Sequence, residues 1–322
     1  MHGKQDMIDT TNLLHFWVFG DLHYRDHEQW LAHHSPRMKQ MLEDVHAVWH
    51  EEGLPAFCVS PGDIVDRGAP ANYELAKRDL MTHSGHIPFY PGIGNHEFLP
   101  ENKNDVLHTA EEFTATWGKP VRYAWTAGVD EEFICIMLDQ PDPFFPGTRI
   151  GNPDVIFSQE SLAFLDTTLA AHKERTAIIF AHCPLHNTVL DRDPQQNLDD
   201  DSLDTFFFVK NSQEVRTILA CHRNAALYIS GHTHSGWGSP QLIFTETLGG
   251  HPVTHVNVMS PWYTGRLAGP RRNADRTTLE YYADDPDVQV TFALYVSRSK
   301  AIIRARDHRS HQWLAQWEVP IE

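Results

Sequence analysis

Five short apolar runs in this chain each stop at a cluster of oxygen- and nitrogen-bearing side chains, and that recurrence narrows the possible folds more than any other feature. The run Phe16–Phe19 delivers Gly20-Asp21-Leu22-His23, Ala56–Val59 leads to Gly62-Asp63-Ile64-Val65-Asp66-Arg67-Gly68, and Ile87–Tyr90 leads to Gly94-Asn95-His96-Glu97. Thr176–Ala181 delivers His182-Cys183-Pro184, and Ala226–Ser230 delivers Gly231-His232-Thr233-His234. Such runs read as buried strands. Between several of them lie helical patterns: one starting at Ser35 with Pro36 in its first turn and a stripe of Met38, Met41, Leu42, Val45 and Val48, then Asn72–Met81, Gln159–Ala171 behind Ser158, and Gln213–Cys221 behind Ser212. The alternation predicts a layered α/β fold, in which strand C-termini converge on one crevice and bring distant motifs together.

After about Pro240 the pattern changes. Leu242–Thr245, Val253–Val258, Val288–Val296 and Ala301–Ala305 follow one another without clear helices between them, which predicts antiparallel strands completing a second sheet. The expected organisation is one domain over residues 1–322, with a motif-bearing core at 12–260 and a β-rich completion at 261–322. Two long connections, 141–155 and 187–210, read equally as lids over a site or as solvated insertions.

Asp21, His23, Asp63, Asn95, His182, His232 and His234 offer seven ligand side chains. That is too many for one four-coordinate ion and enough for two if a carboxylate bridges. In Asp21-Leu22-His23 and His232-Thr233-His234 the i, i+2 spacing places both side chains on one side of an extended segment. The preceding glycines let the backbone approach the ions closely. Each fragment alone is also an ordinary turn or a core histidine; five in this order, each at a strand end, are a site.

Lys and Arg number 26 against 43 Asp and Glu, a formal charge of −17. Nucleic-acid binding by counterion release needs a basic face, so a nuclease is disfavoured and an anionic substrate must be held by something compact. No apolar run reaches the roughly 20 residues of a membrane span, and the first residues carry no signal-peptide pattern. Cys58, Cys135, Cys183 and Cys221 are widely spaced, as reduced thiols would be. The expectation is a soluble cytoplasmic protein with no membrane partner.

In their order, these motifs resemble the calcineurin-like metallophosphoesterase superfamily, with its D-x-H, G-D-x-x-D, G-N-H-[D/E], H and G-H-x-H signature, over roughly residues 15–260. The resemblance implies a four-layer α/β/β/α sandwich of two mixed sheets flanked by helices, and two divalent ions, manganese, iron or zinc, at the sheet edge. It places Asp21, His23, Asp63 and His234 on one ion and Asp63, Asn95, His182 and His232 on the other, with Asp63 bridging. A bridging hydroxide would attack the phosphorus. His96 would protonate the leaving oxygen, Asp66 would orient its ring, and Arg67 would contact a phosphate oxygen; the alternative for Asp66 and Arg67 is a salt-bridged turn.

Gly62–Gly68 and Gly94–Glu97 also look like the protein serine/threonine phosphatases, but Tyr24 and the double histidine of His232-Thr233-His234 depart from them. Those departures resemble class III cyclic-nucleotide phosphodiesterase-like members, while Asp66 stands where purple acid phosphatases have tyrosine. The implied function is hydrolysis of small phosphoesters, diesters or monoesters; the alternatives are a protein-phosphatase-like monoesterase and a non-catalytic scaffold of the same fold. Of the 22 histidines, His33, His34, His50, His83 and His308 read as surface residues, and His186 and His255 as structural rather than substrate-facing. Trp237, Trp262, Tyr263 and Phe206–Phe208 read as core rather than as a base-stacking surface.

Overall fold

In the computed structural model, residues 13–102, 109–141, 143, 154–189, 208–235, 237, 241–261 and 288–321 are described, with the backbone of four short strands between them. In chain order the elements begin β1 (Leu14–Val18), α1 (Glu28–Glu52), β2 (Phe57–Ser60), α2 (Pro70–Ser84), β3 (Phe89–Pro91), a short 3₁₀ turn (His96–Phe98) and α3 (Thr109–Trp117). Next come β4 (Tyr123–Ala127), β5 (Phe133–Met137), α4 (Gln159–Ala171), β6 (Thr176–Phe180), the short pair β7 (Arg192–Asp193) and β8 (Leu198–Asp199), α5 (Ser212–Cys221) and β9 (Ala225–Ser230). The chain ends with β10 (Ile243–Leu248), β11 (His251–Asn257), the pair β12 (Gly269–Arg272) and β13 (Leu279–Tyr282), then β14 (Val290–Val296), β15 (Lys300–Asp307) and β16 (Gln312–Pro320).

Two six-stranded sheets, ordered β16-β15-β14-β1-β2-β3 and β10-β11-β9-β6-β5-β4, face each other. Alternation along β1 shows why. Phe16 and Val18 enter the layer between the sheets with Phe57, Phe180, Ile229 and Phe292. Trp17 points the other way, into a cluster with Met41, Trp49, Tyr73 and Phe113 beneath α1, α2 and α3. On the second sheet Ile134, Ile136, Ile179 and Tyr228 meet Leu165 and Leu219 of α4 and α5. Strands covered on both faces lose the polar alternation of a half-exposed strand, so they read as continuous apolar runs. The result is the expected four-layer α/β/β/α sandwich of mixed sheets.

Several elements differ from the sequence reading. Helix α1 begins at Glu28 and passes through Pro36 rather than starting there. A proline inside a helix costs on the order of 3 kcal/mol in lost bonding and steric clash. The extra turns are held from outside: Trp30 Nε1 donates to His23 O at 2.9 Å, and His34 Nε2 lies 2.8 Å from Leu22 O. His34 is therefore buried rather than on the surface, as is His308. The four C-terminal runs do not share one sheet. β10 and β11 extend the sheet of β9, whereas β14, β15 and β16 extend the sheet of β1. The elements α3, β4 and β16 carry weaker signals, being short, at sheet edges or half-exposed. Most of the connections 141–155 and 187–210, with Phe206, Phe207, Trp262 and Tyr263, lies outside the described residues.

Candidate metal centre

β1, β2 and β3 are parallel neighbours in one sheet, as are β6 and β9 in the other, so their C-terminal ends share one edge of the sandwich. Asp21 and His23 follow β1, Asp63, Asp66 and Arg67 follow β2, and Asn95 and His96 follow β3. His182 follows β6, and His232 and His234 follow β9. The loops continue the sheet pairing beyond the strands: His23 N donates to Asp63 O at 2.9 Å, Tyr24 N to Ile64 O at 2.8 Å, and Gly231 N to His182 O at 2.9 Å.

Two donor groups form there. Asp21, His23, Asp63 and His234 present ligand atoms to one point, and Asp63, His182 and His232 to a second, beside which Asn95 Oδ1 lies 3.0 Å from His182 Nε2. Asp63 belongs to both, its Oδ2 being 3.8 Å from His23 Nε2 and 3.2 Å from His182 Nε2. His23 Nε2 and His234 Nε2 are 3.0 Å apart, and His182 Nε2 and His232 Nδ1 3.1 Å. Ligands on neighbouring corners around an ion with bonds of about 2.1 Å are separated by about 3 Å, so the donor set fits a metal. A single hydrogen bond does not account for all three contacts at His182. One N–H on His182 Nε2 cannot serve Asn95, Asp63 and His232 together.

The carboxylates and His23 have the protonation that ligation needs, whereas the pKa of His182, lowered by burial, is raised overall by Asp63. Burial opposes ionisation of Asp63, but the surrounding imidazoles, His182 foremost, hold it well below the usual carboxylate range. Asp21 is likewise lowered against its burial, chiefly by His234, and burial keeps His23 neutral.

The backbone here is not extended. Asp21, His23, Asp63, His232 and His234 have φ of 26°, 48°, 51°, 72° and 50°. The i, i+2 pairs thus face the centre through left-handed backbone, a conformation costing roughly 1–2 kcal/mol per non-glycine residue. It persists because neighbouring bonds over-determine it. Asp21 carboxylate oxygens accept from His232 N at 2.9 and 3.2 Å, and Ser260 Oγ donates to Asp21 O at 2.8 Å. Asp63 Oδ1 accepts from His96 N at 2.9 Å. Glycine is required where backbone meets carboxylate: a Cβ on Gly94 would strike Asp63 Oδ1, and one on Gly231 would strike Asp21 Oδ2.

Residues that the motif reading left without a role support these loops. Buried Glu97 accepts from the backbone N–H groups of Asp63 at 3.2 Å, Val65 at 3.1 Å and Gly94 at 2.7 Å, joining two ligand loops through one carboxylate. Burial, then Asp63, raises its pKa to about 7. Asn257 accepts from Thr233 Oγ1 at 2.8 Å and donates to Gly231 O at 2.9 Å, bracing the last loop. Only the spacing of Glu97 from the ligands was visible in the sequence.

His96 Nδ1 lies 3.2 Å from Asp66 Oδ1, and its ring stands edge-on to His23 with centroids 4.5 Å apart. Its side chain is 25% exposed beside the fully buried His23 and Asp63. Arg67 Nη1 donates to Asp66 O at 2.8 Å and lies 3.6 Å from Asp66 Oδ2, so the salt-bridged turn is formed. Arg25, absent from the sequence reading, donates to Asp66 Oδ2 at 3.2 Å and to Glu101 at 2.7 Å. Away from the centre, His255 is buried against Glu246 at 2.8 Å, His186 packs on Phe208, and Trp237 packs on Trp317.

Comparison with solved structures finds the same sandwich in a dimetal phosphatase from Danio rerio, at a TM-score of 0.60 and 16% identity over 96% of this chain and 99% of that one. It finds it again in GAP50 of Plasmodium, the anchor in the inner membrane complex, at 0.56 and 12% over 96% and 89%. Among curated proteins, the manganese-dependent ADP-ribose/CDP-alcohol diphosphatase of Danio rerio is 24% identical over 140 residues, 42% of this chain and 38% of that protein's length. The calcineurin-like phosphoesterase model matches residues 14–236, an interval that contains all seven converging side chains. This chain belongs to the calcineurin-like phosphoesterase family.

Proposed function

We propose that the protein is a dinuclear metal-dependent hydrolase of small phosphoesters, with Asp21, His23, Asp63 and His234 around one divalent ion and Asp63, Asn95, His182 and His232 around the other. The observation that carries this reading is the position of Asp63 Oδ2, 3.8 Å from His23 Nε2 and 3.2 Å from His182 Nε2, which makes one carboxylate common to both donor sets. Divalent ions would supply Lewis-acid polarisation of the phosphoryl group and an activated water. Manganese is the first metal to test, because the curated relative is named for its dependence on it; iron and zinc also suit mixed nitrogen and oxygen donors.

The chain's own residues complete the chemistry. His96, oriented through Nδ1 by Asp66, gives the proton from its other ring nitrogen to the leaving oxygen. Arg67 keeps guanidinium N–H groups beyond its bond to Asp66 O, and these hold a phosphate oxygen. The net charge of −17 repels polyanions, so the substrate is a small molecule. Small diphosphate-linked nucleotides are the favoured class, on the likeness to the ADP-ribose/CDP-alcohol diphosphatase, ahead of cyclic nucleotides or phosphoproteins. The four free cysteines, one of them exposed, favour a reducing compartment such as the cytoplasm.

The test is a manganese-reconstituted assay of ADP-ribose, a CDP-alcohol, bis(p-nitrophenyl) phosphate, p-nitrophenyl phosphate and cyclic nucleotides. Turnover of the diphosphates above the monoester is expected. A protein loaded with two ions that hydrolyses none of them would be a scaffold.

A further inference from the structure

The end of the sandwich away from the metal centre holds a cavity of about 390 Å³. It is built from residues preceding β6 and β9, from the β10–β11 turn and from the β14–β15 turn. β6 and β9 carry His182 and His232 at their opposite ends, and at roughly 3.3 Å per residue their length alone separates the two places by about 15–20 Å.

The lining is basic in an acidic protein. Among the described residues, Lys173, Arg175, Arg223 and Arg298 face the cavity with a single carboxylate, Glu174, although the chain as a whole carries −17. Arg175 is committed: its Nη2 is 3.5 Å from Glu131 and its Nε donates to Glu131 O. Lys173, Arg223 and Arg298 form no ion pair among the described residues. His251, 4% exposed, sits in the same wall, and its ring nitrogens, though near the Gly249 backbone, close no hydrogen bond of good geometry. Four cations gathered on three separate turns repel one another, and a buried imidazole without a partner loses hydration. An anion in the cavity relieves both.

The size and donor types define the anion. A cavity of about 390 Å³ exceeds a single phosphate and falls in the range of small-ligand sites. Guanidinium forks from Arg223 and Arg298 suit paired phosphate oxygens, with the Lys173 ammonium as a point charge. We propose that this cavity binds a diphosphate-bearing small molecule, at a site separate from the metal centre.

Methylenediphosphonate, which resists hydrolysis, is the probe. Hydrogen exchange on the metal-loaded full chain should show slowed amides at residues 222–225 and 249–252 as well as any at the metal centre. Arg223→Glu combined with Arg298→Glu should abolish the slowing at the cavity and weaken binding there at least tenfold, while slowing around Asp63 and turnover of bis(p-nitrophenyl) phosphate stay at wild-type values. Arg298→Gln alone, on an exposed turn, should weaken it about threefold and keeps the test open if the double variant folds poorly. Slowing confined to the metal centre, unchanged binding in Arg298→Gln, or equal affinity for sulfate would each overturn the assignment.

Discussion

Among the described residues, two buried clusters of aspartate and histidine invite comparison, and the one at the sheet edge gathers donors that could hold a metal ion. At the sheet edge, Asp63, Asn95 and His232 all crowd one nitrogen of His182, within 3.0 to 3.2 Å. Beneath α1, Asp44 accepts two bonds from Arg306 at 2.8 Å each and one from His308 Nδ1 at 2.9 Å. There the other His308 nitrogen meets Thr291 Oγ1 at 2.7 Å, and Trp17 Nε1 donates to the same hydroxyl at 2.7 Å. His311 Nδ1 also meets Asp44 Oδ1, so each Asp44 oxygen takes two donors and the cluster is satisfied as a protein-only network that ties α1 to β14 and β15. Residue types and burial are alike in the two. What separates them is that the sheet-edge groups converge on shared points, three of them on one nitrogen of His182, whereas the second cluster spreads its contacts over both Asp44 oxygens and Thr291.

Substitutions can break that contrast. Asp63→Asn is expected to have the largest effect, with loss of both ions by elemental analysis and turnover falling well beyond a hundredfold, since even supporting residues of a metal site are worth roughly 10- to 100-fold. Two ions retained at full affinity would remove Asp63 from the shared position. His96→Ala should lower turnover by about 10²–10⁴-fold with metal content unchanged, as expected of a proton donor that is not a ligand. Wild-type turnover in that variant would end its role.

Asp44→Ala should do the reverse. It leaves Arg306 without its carboxylate partner and should cost about 3 kcal/mol in denaturant unfolding, with metal stoichiometry intact. A metal deficit in that variant would show that the two clusters are coupled. Glu97→Gln is milder. It replaces a carboxylate that receives three N–H bonds with an amide that brings donors of its own, and metal affinity should fall about 10- to 100-fold in a competition titration.

The smallest effect is with pH. Burial, with help from Arg304, lowers His15 from 6.5 to about 4, and burial also lowers His308. Both are neutral when folded and bind protons more readily when unfolded, so their stabilisation is complete above pH 6.5 and declines as pH falls toward 4. Asp44, held down against its burial by bonds from Arg306 and the histidines, adds a loss at still lower pH. Urea midpoints measured from pH 8 to 4 should drop through that window; a flat profile would place these histidines in contact with water.

The legible part of the molecule was its repetition. Phe16–Phe19, Thr176–Ala181 and the other runs announced strands because both their faces are covered, and Ser158 announced α4 because its Oγ accepts from Ser161 N at 3.1 Å. The start of α1 was not legible, since Trp30 and His34 are held by carbonyls of the metal loop rather than by local preference. Nor was the burial of His308, which depends on Asp44 and Thr291, residues far from it in sequence.

The sequence by itself determined the seven candidate donor side chains, their order and the apolar runs that end at them, because strand patterning and residue chemistry are local properties. Only the tertiary structure decided which nitrogens face which oxygens, that Asp21, His23, Asp63, His232 and His234 reach the centre through left-handed backbone, and that Glu97 joins two of the loops. Those depend on contacts between segments that no sequence interval contains, and on strain that only surrounding bonds can hold.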